Sequence, residues 1–240
     1  MEFVFVLTVG LVAGTLSGIV GFGASMMLMP VLVIAFGPKQ AVPIMAVAAI
    51  MANLSRVLAW WREVDWRACA AYSVTGVPAA ALGARTLLAL PPRVIDGALG
   101  AFFIAMIPAR RWLASRGLRL RLWHLALIGL LVGYVTGIVV STGPITVPLF
   151  LAYGLVKGAF LATEAAGSLA VYVSKVGVFR SFGALPAEVI ANGLITGSSL
   201  MSGAFVAKRF VLRLEPDHFR LLMDTLMLMS GGVLLWTAAR

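Results

Sequence analysis

Two stretches decide the fold of this chain: SGIVGFGAS at residues 17–25 and TGIVVSTGP at residues 136–144. Each lies in a run without a formal charge, of 36 residues at 3–38 and of 35 residues at 122–156. A helix of 36 residues would be about 54 Å long, whereas the hydrocarbon core of a bilayer is roughly 30 Å thick. Glycine tolerates positive φ and proline lacks a backbone donor, so the glycines and prolines in these runs predict that each run breaks or turns back.

The composition around these stretches is that of a membrane protein. Of the 240 residues 61% are hydrophobic and only 12% are charged, against roughly 25% charged residues in a soluble domain. The mean hydropathy is +1.02, which excludes a soluble globule. The net charge of +10 does not indicate nucleic acid as a partner, because such a binder presents a basic face on a soluble fold. In a membrane protein the same excess anchors cytoplasmic loops, so we expect a lipid bilayer as the partner.

Metal, redox and cofactor chemistry have little support. Cys69 is the one cysteine, which excludes an internal disulfide or a paired-cysteine zinc site, and the two histidines offer few ligands. We therefore predict no cofactor and no metal. The N-terminus lacks the positive region of a signal peptide, and its apolar run is too long for one, so we interpret it as a retained first membrane segment.

The sequence repeats itself at an offset of 119 residues. This shift places Gly10, Gly14 and Gly18 on Gly129, Gly133 and Gly137, and places Ser55-Arg56-Val57 on Ser174-Lys175-Val176. Half of 240 is 120, so the offset is that of a duplicated half-protein, an arrangement common in secondary transporters. We predict two pseudo-symmetric membrane repeats, residues 1–116 and 117–240.

The fold class that follows is an all-α polytopic membrane protein with about eight hydrophobic segments, the first of each half broken or re-entrant. Besides the two long runs, segments of nearly spanning length are expected, and all six tryptophans lie near segment ends, as in an interfacial belt. The predicted helices are 40–61, 66–88, 93–109, 158–180, 185–207 and 220–238.

Counting basic residues distinguishes two topologies. If each long run crosses once, the loops carry nine basic residues on one side and eight on the other, which orients nothing. If each run returns to its starting side, the split becomes twelve to five, and the richer side is cytoplasmic by the positive-inside rule. Each half then makes an odd number of crossings, so the halves are inverted relative to one another. We favour this over parallel repeats.

The breaks are the candidate substrate site. A helix interrupted inside the membrane exposes backbone N–H groups and the positive end of a helix dipole, which suits an anion. Irregular backbone at that depth must be buried in protein or line a cavity. The alternative is that the glycines only permit a kink or close packing, as in the GxxxG patterns. The candidate binding residues at the breaks are Gly21, Gly23, Ser25, Ser141, Thr142 and Gly143.

Two basic residues and one acid complete the candidate site. Arg56 and Lys175 occupy equivalent repeat positions inside helices, where a charge is costly unless paired or hydrated. We predict that they attract an anionic substrate, with Asn53 nearby; the alternative is that their long stems reach the membrane surface. Glu164 lies among small residues and is a candidate proton carrier. Its alternative role is that of a structural partner for Lys157 or Lys175.

Other functions are less well supported by the residues. Intramembrane proteolysis by a hydroxyl at the second break needs a base within reach, and His124 lies some 17 residues upstream, so we predict no enzyme. The eleven methionines could indicate soft-metal transport, but they lack Cys or His partners. A channel, a transporter of a metal or neutral solute, and a membrane scaffold stay open as alternatives, and the oligomeric state is not readable.

The chain resembles the TauE/SafE sulfite exporter family, the TSUP transporters. The resemblance rests on residues 17–23 leading to 30–32, on their echo at 136–138 leading to 148–149, and on glycine-alanine helices at 76–84 and 197–204. It implies a multi-pass protein of the bacterial inner membrane that moves small anions such as sulfite, sulfonates or related sulfur-containing and carboxylate compounds, and it leaves the direction and the substrate open. Our own prediction is an exporter, with protons, carried by Glu164, as the candidate coupling ion. The first break has fewer consecutive glycines than the family pattern, and the second carries Ser141-Thr142.

Overall fold

The computed structural model of the protein describes residues 2–20, 24–117, 119–139, 142–207, 225, 228–229, 231–236 and 238–239. Within these residues the chain is helical between short loops, without a strand, which confirms the all-α prediction. The helices are α1 Glu2–Val20, α2 Ala24–Phe36, α3 Pro38–Trp60, α4 Trp66–Ala89, α5 Pro92–Ser115, α6 Leu122–Ile138, α7 Gly143–Tyr153, α8 Lys157–Ser181 and α9 Ala187–Ala207.

The described part of the predicted last segment, at 225, 228–229, 231–236 and 238–239, is also helical. Among the described residues, two helices are long and apolar enough to cross a membrane by themselves, Lys39–Ala59 and Ala187–Val206. Shorter apolar helices include Val6–Ser17 and Leu122–Ile138, which belong to the interrupted runs. α8 is longer, at 25 residues, but it carries charged side chains within its length and is therefore less apolar.

Helix boundaries repeat at the offset found in the sequence. Adding 119 to the bounds of α1 through α4 gives 121–139, 143–155, 157–179 and 185–208, which are close to the bounds of α6 through α9. Both long uncharged runs are interrupted: α1 ends at Val20 and α2 begins at Ala24, while α6 ends at Ile138 and α7 begins at Gly143. The interruptions fall where glycine, serine and proline disfavour a continuing helix.

Glycines bring the first helix of each half against the fourth helix of the other half. On α6, Gly129 lies against the backbone of Tyr72 in α4, and Gly133 lies against the backbone of Gly76. On α1, Gly14 lies against the backbone of Leu200 in α9. Small residues allow this close approach in membranes. The glycine patterns therefore serve packing, and they tie the two halves together.

The centre of the molecule is a crossing of α3 and α8. Residues 41–49 of α3 are all buried, so this helix forms the core. Near the end of α3, Trp60 lies against Gly158 at the start of α8. One turn earlier in α3, Arg56 reaches Glu164, which is further along α8. The two helices therefore run antiparallel.

The outer helices follow the two central ones. Ile44 and Met51 of α3 lie against Gly193 and Gly197 of α9 respectively, so these helices are parallel. On the other side α4 runs parallel to α8, because Tyr72 lies against Gly167 and, further along both helices, Ser174 donates to the carbonyl of Val77 at 2.9 Å.

The second interrupted run forms a hairpin. The N–H of Leu120, just before α6, donates to the carbonyl of Ala152 near the end of α7 at 3.0 Å. The two ends of the run are therefore close together, and the break between Ile138 and Gly143 is the far tip of the hairpin.

The Gly133 contact gives a test of this packing. We expect Gly133→Leu to lower the free energy of unfolding by about 2 kcal/mol or more, because an added Cβ would lie within 3 Å of the Gly76 backbone and overpacking typically costs 1–3 kcal/mol. Thermal unfolding in detergent measures the effect. Gly177→Leu is the matched control, since Gly177 has open space around it; equal losses in both variants would contradict the packing.

Candidate functional site

Described residues beside both breaks line one polar cavity at the centre of the molecule. Ser17 of α1 with Ala24 and Ser25 of α2 flank the first break, and Thr136 of α6 with Thr142 and Gly143 flank the second. The remaining lining residues come from α3 and α8: Met45, Ala49, Ala52, Asn53, Arg56, Glu164, Ser168 and Tyr172. The cavity volume is about 40 Å³, and a single water needs roughly 10–15 Å³. A few waters or one compact solute would fill it.

An ion pair between the two halves crosses this cavity. Arg56 Nη1 donates to Glu164 Oε2 at 3.1 Å, and both side chains are buried, with 9% and 4% of their surface exposed. The other terminal nitrogen of Arg56 donates to the side-chain oxygen of Asn53. Asn53 is held in turn by its own amide, which donates to the Ala49 carbonyl at 2.7 Å. Burying either charge without a partner would cost free energy. Each charged group therefore stabilises the other in its buried position.

The second oxygen of Glu164 is tied to the α7 break. Ser168 Oγ donates to Glu164 Oε1 at 2.8 Å. Thr146 Oγ1 lies 3.3 Å from the same oxygen and 3.2 Å from the carbonyl of Gly143, so its single proton can go to either. A change in the charge of Glu164 would therefore alter the hydrogen bonding of Thr146 at the start of α7.

Lys175 stabilises the other side of the same break. Its side chain is fully buried, and its Nζ donates to the carbonyls of Thr136 and Val139, at 2.9 Å each. These carbonyls end α6, where backbone acceptors lack partners within the helix and the helix dipole is negative. The ammonium group of Lys175 donates hydrogen bonds to these carbonyls, and its positive charge is favourable at the negative end of the helix dipole.

A hydroxyl pair joins the two sides of the second break. Thr136 Oγ1 and Thr142 Oγ1 are 2.6 Å apart, and Thr136 Oγ1 can also donate to the Val132 carbonyl at 2.6 Å. Together with Thr146, this pair connects the carbonyls held by Lys175 to the Arg56–Glu164 ion pair through neighbouring polar groups.

The lining of the cavity follows the 119-residue offset. Five pairs of lining residues are related by it, and each pair contributes one residue from each half: Ser17 and Thr136, Ala24 and Gly143, Met45 and Glu164, Ala49 and Ser168, Asn53 and Tyr172. Within three of these pairs the chemistry differs, so the cavity is symmetric in position and asymmetric in charge.

The structure brings together many of the predicted site residues. Ser25, Asn53, Arg56, Thr142, Gly143 and Glu164 line the cavity. Lys175 lies behind the second break rather than in the lining. Gly21, Gly23 and Ser141 lie outside the described residues. Arg56 and Lys175 are 8% and 0% exposed, which does not fit the alternative that they extend to the membrane surface, and Glu164 pairs with Arg56 rather than with Lys175.

Four polar lining residues were not predicted as binding residues: Ser17, Thr136, Ser168 and Tyr172. The offset could have found Tyr172, because it is the counterpart of Asn53. Ser168 lies one turn after Glu164 on the same helix face, a spacing that brings side chains together. Within the described residues no cluster of side chains suits a metal ion.

Comparison with known proteins agrees with this membrane architecture. The family model for the sulfite exporter TauE/SafE matches residues 6–234. The probable membrane transporter protein YjnA of Bacillus subtilis is 24% identical over 95% of this chain and 98% of its own length. The probable membrane transporter protein y4hK of Sinorhizobium fredii is 29% identical over 72% of this chain and 73% of its own length. No solved structure gives a significant match.

The chain therefore belongs to the TauE/SafE sulfite exporter family, as the sequence resemblance indicated. It is a membrane transporter of that type, located in a membrane, and its relatives are named as transporters rather than as enzymes.

The ion pair can be tested by a double-mutant cycle. We expect Arg56→Gln and Glu164→Gln each to lower the free energy of unfolding by about 3 kcal/mol, because each leaves a buried charge without its partner. The double variant should lose at least about 1 kcal/mol less than the sum. Unfolding in detergent measures all three. Arg62→Gln with Glu188→Gln is the control cycle at exposed positions, and additive losses at Arg56 and Glu164 would refute the coupling.

Proposed function

We propose that the protein is a secondary transporter that exports small organic or inorganic anions, such as sulfite, sulfonates or other sulfur-containing compounds, by alternating access. The observation that carries this proposal is the central cavity. Residues beside the two helix breaks and the Arg56–Glu164 ion pair meet there in a buried polar space. Each half of the chain contributes one break and one member of the ion pair. Packing alone does not explain this space, because an apolar core would avoid the free-energy cost of burying polar groups.

The polarity of the cavity suits an anion. α2 begins at Ala24 and α7 begins at Gly143, and both residues line the cavity. Helix N-termini attract negative charge. Arg56 adds a guanidinium group, which can hold an oxyanion through two parallel hydrogen bonds. The hydroxyls of Ser25 and Thr142 add donors.

The remaining candidate residues have roles in the same proposal. Gly21, Gly23 and Ser141 would supply backbone or hydroxyl donors at the two breaks. Lys175 would contribute positive potential and hold the second break in shape, since its ammonium group caps the end of α6.

We assign Glu164 to proton coupling. Its carboxylate engages the guanidinium of Arg56 that an anion would need. Protonation would remove the negative charge and loosen that engagement, so proton binding and anion binding at this pair are linked. Thr146 and Ser168 would pass the change on to the second break.

The fold in this proposal consists of two inverted repeats, residues 1–116 and 117–240. Three helix pairs related by the offset support it: α3 and α8 cross antiparallel, and the contacts of α4 with α8 and of α9 with α3 make α4 and α9 antiparallel. Since α6 runs along α4 and α1 runs along α9 in parallel, α1 and α6 are also opposed. Transport would then proceed by rocking one half against the other.

The charge distribution gives the orientation. Arg62, Arg67 and the arginines at 110–121 cluster at the end of the molecule where α3 meets α4 and α5 meets α6. The opposite end carries Lys39, Arg85, Arg93 and Arg180 among the described residues. By the positive-inside rule the arginine-rich end faces the cytoplasm of a bacterial inner membrane.

Ligand-induced stabilisation tests the substrate class. A ligand that binds the folded state raises its unfolding temperature, so purified protein is heated with sulfite, thiosulfate, sulfoacetate, taurine, sulfate, acetate or lactate. We expect one or a few anions to raise that temperature, and Thr142→Ala to reduce the increase. Thr86→Ala, on α4 away from the cavity, is the matched control. No stabilisation by any anion would overturn the anion proposal and favour a neutral solute or a metal.

The role of Arg56 gives a second measurement. We expect Arg56→Gln to weaken binding of the stabilising anion by at least about tenfold, because a charge-assisted hydrogen bond is worth roughly 1.5–3 kcal/mol. Isothermal calorimetry on folded variant protein measures it. Arg62→Gln at the exposed end should bind normally, and unchanged affinity in Arg56→Gln would remove Arg56 from the site.

Proton coupling has its own variant. We expect Glu164→Gln to abolish the dependence of transport on a pH gradient in proteoliposomes while anion binding is kept, because the amide cannot carry the proton and no longer holds Arg56 by charge. Glu188→Gln, exposed in the first turn of α9, should retain the dependence. A pH-coupled Glu164→Gln protein would exclude this residue as the proton carrier.

A further inference from the structure

A second cavity opens at the Lys39 end of the molecule. Its volume is about 280 Å³, and its walls come from the start of α3, the end of α4, the start of α5 and the loop before α9. Lys39 and Gln40 lie exposed beside it. Val42 lines this cavity and Met45 lines the central one, so the two cavities are one helical turn apart along α3.

The equivalent place in the other half is closed. The offset relates Lys39 to Gly158, and Gly158 is buried against the ring of Trp60 and the carboxylate of Glu63. The same offset relates Pro43, which is buried but lines the cavity, to Ala162, which is fully buried. Ala162 packs there with Val64, Cys69 and Ala166.

A hydrogen bond reinforces this closed end. The N–H of Asp65 donates to Thr163 Oγ1 at 2.9 Å, and Thr163 is fully buried. The Asp65 carboxylate also accepts from the N–H groups of Arg67 and Ala68 at the start of α4, at 3.0 and 3.1 Å. The start of α4 is therefore fastened to α8 at this end, next to the Trp60–Gly158 contact.

Two related positions in one molecule thus have opposite states, one open and one sealed. In a chain whose halves are alike, exchanging their conformations gives a second arrangement of comparable energy. That arrangement would be open at Gly158 and closed at Lys39. A transporter that works by alternating access is open at one end and closed at the other at any one time, and the two ends of this molecule differ in that way.

We infer that the 280 Å³ cavity is the open half of the solute pathway, and that the contact of Trp60 and Glu63 with Gly158 is the gate that is shut in this conformation. The inference rests on the proposed transport function and adds the gating residues to it. The occupants of the open cavity are water and the transported anion, and Lys39 at its mouth attracts that anion. The shut gate lies at the arginine-rich end.

Thiol labelling tests the gate without any solute. Cys69 is first replaced by Ala, and single cysteines are then introduced as Ala184→Cys in the open cavity or Ala162→Cys behind the gate. Reaction with N-ethylmaleimide in detergent is followed by mass spectrometry. We expect Ala184→Cys to react at least about tenfold faster than Ala162→Cys.

Blocking the gate should reverse this order. An added methyl at Gly158 would lie within 3 Å of the side chains of Trp60 and Glu63. Gly158→Ala therefore destabilises the closed gate and shifts the population toward the exchanged state. We expect the reactivity of Ala162→Cys to rise about tenfold and that of Ala184→Cys to fall. Gly177→Ala, on the same helix with open space around it, should change neither. Trp60→Ala removes the ring instead and should act in the same direction.

The fall at Ala184→Cys is the decisive reading, because local damage beside Gly158 cannot protect a residue at the far end. Equal reactivity of the two reporters in the parent protein, or a gate variant that leaves Ala184→Cys unchanged, would overturn the inference. If the gate variants change the two reactivities in opposite directions but the protein transports no anion, the proposed function is refuted and the gate inference stands. If the protein transports an anion without these opposite changes, the gate inference is refuted and the proposed function stands.

Discussion

The structure depends on one constraint: a backbone interrupted inside a membrane must find hydrogen-bond partners within the protein. The second break meets it with Lys175, whose ammonium group holds the last carbonyls of α6, and with the threonine hydroxyls that join α6 to α7. These groups bring polarity into a chain that is otherwise largely apolar. The Arg56–Glu164 pair can then lie beside the break, because polar neighbours already surround it.

The repeat explains why the polar groups are concentrated in one place. Each half supplies a broken run and a central helix, and the offset brings the corresponding residues to the same cavity. Lining residues that the offset relates differ in chemistry, and Met45 corresponds to Glu164, so the carboxylate lies on one side of the cavity only. The central cavity is therefore asymmetric in charge within a symmetric frame.

The sequence predicted the helical fold and the second break because these are local: glycine and proline act on their own segment, and charge-free runs mark the membrane. It also selected Arg56, Asn53 and Glu164, since buried polar residues in apolar helices are rare. It did not predict that Arg56 and Glu164 pair, because 108 residues separate them and helix periodicity carries no information about contacts between helices. It placed Lys175 near the substrate, whereas the ammonium group turns to the end of α6, a direction that depends on where the neighbouring helix stops.

The exchange of first helices between the halves has a consequence for how the protein is made. Since α1 packs along α9 and α6 packs along α4, α1 is synthesised long before its partner leaves the ribosome. During that interval its glycine face lacks the helix against which it packs in the folded protein. Because each of these contacts joins residues before 116 to residues after it, neither half of the chain is expected to mature alone in the membrane.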